Sequence, residues 1–397
     1  MKLSRKSLSI APSPTLTIDA RAKQLKKEGV DVIGFGAGEP DFDTPEHIRE
    51  AAMTAIREGY TRYTPSGGAP ELKEAICEKM WRDHNLRYQP SQIVVSNGAK
   101  HSLANIFNAI LDEGDEVIIP APYWVSYPEM VKLAGGKPVF MEPDEKDGHM
   151  ITTALLEKHL TPRTRAIVVN SPGNPSGQIY SREELQDIAA IAHKHDLWII
   201  SDEIYEKLIY GGANHISIAS LDEETKKRTV VVNGVSKSYA MTGWRIGYTA
   251  SVPELAAAMD NIQSHLTSNP NSIAQKAALA ALRGPQDCVE QMRRVFDARR
   301  HYMVQRIEKM PLLTCKEPLG AFYVFVNAGQ ACGRHFRGTL INSADELAAQ
   351  LLEHYRVAVV PGRGFGAPTY LRLSYATSEE NIRKGLDRLE AFLQELQ

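Results

Sequence analysis

The sequence predicts an α/β protein organised around an open sheet, and three observations support this. Short β-branched runs alternate with amphipathic helical stretches across residues 93–248. The most distinctive polar and aromatic residues of that region stand just past the ends of the strand-like runs, where an open α/β sheet gathers its ligands. A second, shorter alternation of strands and helices starts at Ala321. A chain of 397 residues has room for two such units and a large buried core.

Composition narrows the class. Hydrophobic residues make up 43% and charged residues 24%, the proportions of an ordinary globular protein. A formal net charge of −2 offers no attraction to nucleic acid or to an anionic membrane, so neither is expected as a partner. Cys77, Cys288, Cys315 and Cys332 are scattered, with no CxxC pair and no metal-like spacing, and read as reduced thiols of a cytoplasmic protein. Residues 1–6 are basic but lack the apolar run of a signal peptide, and no stretch is long enough to span a bilayer.

In chain order, an irregular Ser- and Pro-containing stretch at 11–15 precedes an amphipathic helix at 17–28, stopped by Gly29. A short strand at 30–33 enters the glycine-rich run 34–38, which leads to Pro40 and Pro45 and not directly into a helix, so a dinucleotide loop fails its context test. Helices are expected at 45–59 and 69–85, with Tyr63 beside a Pro/Gly turn between them. A strand at 93–96 then turns through Asn97-Gly98-Ala99-Lys100 into a helix reaching residue 111. Asn97 is the expected N-cap, and the first helical amides are free to face an anion.

Strand 116–119 ends shortly before Trp124, and strand 137–141 and helix 152–159 follow. Strand 166–170 enters a rigid Pro/Gly loop carrying Asn174, whose side chain offers both donors and an acceptor. Helix 181–195 is a crossover; His193 and His195 on it are two residues apart, share no helical face for a metal, and read as solvated. Strand 197–201 ends at Asp202, a carboxylate that is costly in such a place unless it is paired.

A strand at 230–232 and a turn at Asn233-Gly234 lead to Ser236-Lys237, with Arg245 eight residues beyond the lysine. A lysine at a strand end among apolar neighbours loses hydration, so its amine deprotonates more easily and can attack a carbonyl. A hydroxyl and a guanidinium beside it suit a dianionic phosphate. Helices run to 283, interrupted at 267–270, and a long helix spans 285–309. In the last unit, Arg372 sits on an apolar strand with its side chain opposite those of Leu371 and Leu373. An arginine there calls for an anion, and a carboxylate is the bidentate match. A helix from 378 closes the chain.

The segment Ser236-Lys-Ser-Tyr-Ala-Met-Thr-Gly-Trp-Arg245-Ile-Gly-Tyr248 closely resembles the lysine segment of the class I and II aminotransferases, which use pyridoxal 5′-phosphate (PLP). Further matching motifs at 34–42, 97–100, 123–124, 170–177, 202–205 and 372–376 extend the resemblance over nearly the whole chain. It implies the fold type I of PLP-dependent transferases, a large doubly wound, mainly parallel sheet domain at 45–285. Residues 1–44 would join a smaller α/β domain at 286–397. A homodimer with active sites at the interface is also implied.

Residue by residue, the resemblance makes Lys237 the Schiff-base lysine and general acid–base, and Asp202 the partner of the ring nitrogen. Tyr205 and Asn174 would hold the ring oxygen, and Trp124 would stack on the ring. Ser236, Arg245 and the turn Gly98-Ala99-Lys100 would hold the phosphate, with Tyr63 reaching the phosphate in the partner subunit. Arg372 and Asn174 would anchor the substrate α-carboxylate, which Gly38 lets the backbone approach.

By these motifs the chain looks most like the bacterial-type aspartate aminotransferases, some of which also transaminate prephenate. That implies ping-pong transfer between aspartate and 2-oxoglutarate, with Lys100 and Thr15 at the distal carboxylate. Aminotransferases for aromatic and other amino acids share the same motifs. The alternative from another class is a non-catalytic effector-binding module of this fold. Such modules carry a DNA-binding domain ahead of it, and only about 30 residues precede the first glycine run here.

Overall fold

The computed structural model describes residues 2–11, 14–143 and 151–397. Helices α1 (Arg5–Leu8) and α2 (Pro14–Lys27) lead to a short strand, β1 (Ile33–Gly34), and then to α3 (Glu46–Arg57) and α4 (Pro70–His84). The strands of the larger sheet follow: β2 (Ile93–Ser96), β3 (Glu116–Pro120), β4 (Lys137–Met141), β5 (Thr164–Asn170), β6 (Trp198–Asp202), β7 (Thr229–Gly234) and β8 (Gly247–Ala250). Between them run α5 (Ala99–Ile110), α6 (Ser126–Leu133), α7 (Thr153–Lys158), α8 (Arg182–Lys194) and α9 (Glu223–Arg228).

The sheet order is β2-β8-β7-β6-β5-β3-β4. Strand β8 runs against both of its neighbours, and every other pairing is parallel. All the strands except β8 therefore finish on one edge, while β8 starts there. Period-two alternation explains why both faces are covered. Val117 and Ile119 of β3 pack with Leu103 and Phe107 of α5 and Tyr127 of α6. Ile118, between them, packs on the other face with Leu185 and Ile188 of α8. Each such side chain contributes about 1.5–3 kcal/mol when fully buried, and together they make a stiff platform for the turns at the strand ends.

The rest of the chain comprises α10 (Pro253–Leu266), α11 (Ser272–Arg283) and α12 (Asp287–Ile307), then β9 (Thr314–Cys315) and β10 (Tyr323–Asn327). After the small hairpin β11 (His335–Phe336) and β12 (Thr339–Leu340) come α13 (Ala344–Tyr355), β13 (Val357–Ala358), β14 (Val360–Pro361), β15 (Tyr370–Ser374) and α14 (Glu379–Gln394). Strands β14-β15-β10-β9 form an antiparallel sheet. Ile33 of β1 pairs in parallel with Val357 of β13, which ties the N-terminal segment to this later part of the chain.

Helix ends follow side-chain chemistry. Ser181 and Glu184 make a reciprocal capping box at α8, and Thr152, Asp222, Ser343 and Ser378 each accept a first-turn amide. Three local expectations fail. Gly98, not Asn97, caps α5, because φ +87° at this position suits glycine. Asn233 and Gly234 continue β7 and pair with Tyr248 and Gly247, so the turn begins later. A Cβ at Gly234 would meet the Ile246 carbonyl oxygen at 2.9 Å, so this glycine serves close strand approach. His193 is only half-buried and lies 3.2 Å from the Thr225 hydroxyl, packed between α8 and α9 and not simply solvated.

Candidate active site

The edge where the parallel strands end and β8 begins carries most of the distinctive chemistry. At the end of β2, a Cβ on Gly98 would lie 2.3 Å from Nη2 of Arg245. Arg245 itself is in the left-handed region (φ 57°) just before β8, with Nη1 donating to the Thr242 carbonyl at 2.9 Å. A Cβ on Gly247 would meet the Ala99 amide nitrogen at 2.2 Å. Two glycines thus let the start of β8 press on the first turn of α5. The result is a cradle of helix N-terminal amides, a guanidinium and the buried Ser236, which suits a phosphate.

Asp202 closes β6 and is 3% exposed. Its carboxylate accepts from the Tyr127 hydroxyl at 2.6 Å and from the Ile204 amide at 3.3 Å. Burial pushes this acid up to about 6, against the pull of the Tyr127 hydrogen bond. A buried acid so raised gains most from a cation opposite it, such as a protonated ring nitrogen. Past the end of β7, the Lys237 ammonium donates to the Gly38 carbonyl at 2.5 Å. Burial brings its amine down to about 8. The Arg372 and Arg245 cations push the same way, and Glu39 and Asp202 oppose them.

Asn170, in register with Asp202, ties the loop after β5 to β6. Its Oδ1 accepts the Asn174 amide at 2.9 Å, and its Nδ2 donates to the Asp202 carbonyl at 3.0 Å. Arg372 reaches the same point from β15, an interior strand held by β14 and β10, so it is not an edge-strand arginine in water. Its Nη1 donates to Asn174 Oδ1 at 3.1 Å and its Nη2 to the Gly36 carbonyl at 3.0 Å. The guanidinium lies 4.3 Å from the Tyr323 ring centroid, and Nε is buried with no partner among the described residues. Such an arginine has capacity left for a carboxylate.

The Tyr205 hydroxyl lies 3.0 Å from that of Tyr323, and the Lys100 ammonium 4.9 Å from the Trp124 ring. Burial, then the Arg245 charge, hold the Lys100 amine below its ordinary range.

Gly38, Ala99, Lys100, Trp124, Asn174, Asp202, Tyr205, Ser236, Lys237, Arg245 and Arg372 all line one open cleft of about 1550 Å³, with Gly98 at its wall. Tyr63 lies outside it and is 90% exposed. Thr15 is the second residue of α2, and its side chain lies outside the described residues. Sequence reasoning missed Tyr127, Asn170, Tyr323, Glu39 and Thr242, which also line the cleft or brace it. Tyr127 had a signal, standing three residues after Trp124 at helical spacing. Glu39 accepts from Thr242 at 2.7 Å, a pairing across distant segments that no local pattern announces.

The donor set fits PLP on two observations independent of any resemblance: a cradle that a Cβ at Gly98 would fill, and an acid, Asp202, that burial holds well above the ordinary carboxylate range.

Comparison with known proteins agrees in family. The model of the family described as aminotransferase class I and II matches residues 30–389. The chain is 53% identical to an aspartate aminotransferase of Geobacillus stearothermophilus, over 99% of both chains. It is 48% identical to an aspartate/prephenate aminotransferase of Nitrosomonas europaea, over 99% of this chain and 100% of that one. The solved aspartate aminotransferase from Rhizobium meliloti superposes with a TM-score of 0.97 at 44% identity, covering 100% of both chains.

Proposed function

Because the chain belongs to the class I and II aminotransferases, a PLP-dependent family, we propose that it transfers the amino group of L-aspartate to 2-oxoglutarate. The observation that carries this reading is the convergence of Lys237, Asp202, Arg245 and Arg372 on one cleft. PLP, when bound, supplies an electron sink for the carbanion formed at the substrate Cα.

This chain's residues do the rest. Gly98, the amides of Ala99 and Lys100, Ser236 and Arg245 hold the phosphate. Asp202, anchored by Tyr127, holds a proton at the ring nitrogen, and Tyr205 and Asn174 hold the ring oxygen, while Trp124 packs on the ring. Lys237 is the residue that would hold the cofactor at its aldehyde, and its amine, when free, carries the proton to and from the substrate Cα. Arg372 and Asn174 orient the α-carboxylate, and Gly38 brings backbone close to it. Lys100, with Thr15, meets the distal carboxylate.

As the family resemblance implies, we also propose a homodimer in which Tyr63, exposed in the single chain, donates to the phosphate in the partner subunit. With it goes a division into segments 1–44, 45–285 and 286–397, and a cytoplasmic location. Among the described residues no helix is long and apolar enough to cross a membrane.

The decisive assay measures oxaloacetate formed from L-aspartate and 2-oxoglutarate. Turnover is expected, and its absence with PLP bound refutes the substrate. A second reading follows from the Nitrosomonas europaea relative, whose name includes prephenate. Comparable efficiency with prephenate and oxaloacetate as acceptors would establish it here. Sedimentation at a single-chain mass would refute the dimer.

A further inference from the structure

Behind the turn that carries Asp202 and Tyr205 lies a second cluster, unused by the chemistry above. We propose that His84, Glu203, Glu206 and His215 form a structural site for one divalent transition-metal ion of the zinc class. Their ligand atoms, one from each residue, all lie within 4.8 Å of one another. The four side chains are 8%, 1%, 4% and 3% exposed.

Two imidazoles and two carboxylates form the borderline donor set of zinc; magnesium and calcium prefer oxygen alone. Tetrahedral zinc with bonds of about 2.0–2.2 Å separates neighbouring ligand atoms by roughly 3.4 Å. His215 Nε2 is 3.1 Å from Glu203 Oε2, already close to that spacing. His84 Nε2 is 2.5 Å from Glu206 Oε2 and would open by roughly 1 Å to reach it.

Supporting partners are present. Ser201 and Ser217 donate to Glu203 Oε1 at 2.8 and 2.7 Å, holding its other oxygen toward His215. His215 turns Nε2, not Nδ1, toward Glu203, so Nε2 is the ring nitrogen that would ligate the ion. His84 and His215 both line a solvent-open surface pocket of about 840 Å³, which provides an entry path.

Lys79 pairs with Glu206 and stands 3.2 Å from His84 Nε2, occupying the cationic position that a metal would take. Asp83 Oδ2, 3.7 Å from that ammonium and already paired with Lys207 at 2.8 Å, can receive it as a second cation. The dication balances the two carboxylates, and the imidazoles bind neutral. Since Glu203 and Glu206 bracket Tyr205, the ion braces the cofactor turn without touching the cofactor, and the site stands whether or not the substrate reading does.

The test uses chelator-treated holoenzyme titrated calorimetrically with zinc chloride, with magnesium as control. One zinc per chain is expected, with a zinc-dependent rise in melting temperature and no response to magnesium. His84→Gln and His215→Asn should each weaken zinc more than about 100-fold, since even loss of an outer-shell partner costs about 10- to 100-fold. No saturable zinc binding, or binding unchanged in both variants, overturns the proposal. Should the variants fail to fold, cobalt in the wild-type protein decides. Intense visible bands of four-coordinate cobalt support the site, and only the weak bands of six-coordinate cobalt overturn it.

Discussion

The guanidinium of Arg372 donates to the amide oxygen of Asn174 across 3.1 Å, joining residues 198 positions apart. One comes from the antiparallel sheet and the other from a loop at the end of the parallel sheet, and the Gly36 carbonyl completes the junction from the N-terminal segment. Three stretches of chain must therefore meet before the carboxylate anchor exists.

Replacing Arg372 by lysine keeps the charge and removes the planar fork. Loss of one hydrogen bond to a charged group costs about 1.5–3 kcal/mol, so kcat/KM for L-aspartate should fall roughly 10- to 150-fold. Steady-state kinetics read this, and an unchanged kcat/KM would refute the anchor.

Lys237 should attach PLP covalently at a rate that rises through about pH 8, not near the ordinary 10.5 of a free lysine. Since the Glu39 charge raises the amine's affinity for its proton, Glu39→Gln should move that midpoint down. The sign for stability follows. The native value lies below the unfolded one, so between about 8 and 10.5 the unfolded chain binds more protons and this group's contribution to stability grows with pH. Stopped-flow absorbance of the apoenzyme mixed with PLP reads the midpoint. Lys237→Ala should retain PLP non-covalently, show no adduct after borohydride reduction, and lose turnover.

Tyr127→Phe removes the hydrogen bond that favours the charged form of Asp202. A hydrogen bond to a charged group is worth about 1.5–3 kcal/mol, so kcat should fall roughly 10- to 150-fold with little change in KM. In the apoenzyme, the Asp202 value of about 6 stands above the ordinary 3.8, so the native state binds more protons between them. Stability from this group is then lost as pH rises through that window, by about 3 kcal/mol in all. Melting curves of the apoenzyme against pH should show the loss, and Asp202→Asn should remove it.

Gly98→Ala places a methyl group 2.3 Å from Arg245 Nη2 in a residue at φ +87°. The backbone strain is about 1–2 kcal/mol, and displacement of the guanidinium adds to it. PLP affinity measured by equilibrium dialysis should weaken at least tenfold. Wild-type affinity would mean that the phosphate is held elsewhere.

Sequence reasoning reached the residues whose chemistry is local. Strand-ending turns announce Gly98, Trp124, Asn174, Asp202 and Lys237, because a β-branched run followed by Gly, Pro or a polar turn is readable within a few residues. Arg372 stands out as a charge on an apolar strand. Strand order was not readable, and with it the registry of Asn170 beside Asp202 was lost. The Asn97 cap failed because capping preference says nothing of the crowding that demands glycine at position 98.

The sequence by itself determined which side chains end the strands, since alternation and turn chemistry act over neighbouring residues. Only the tertiary structure decided that β8 runs against its neighbours, bringing Arg245 to the edge where the others end, and that Tyr127, Tyr323 and Glu39 join them. The physical reason is that strand pairing and burial are set by packing between segments far apart in the chain, where no local propensity operates.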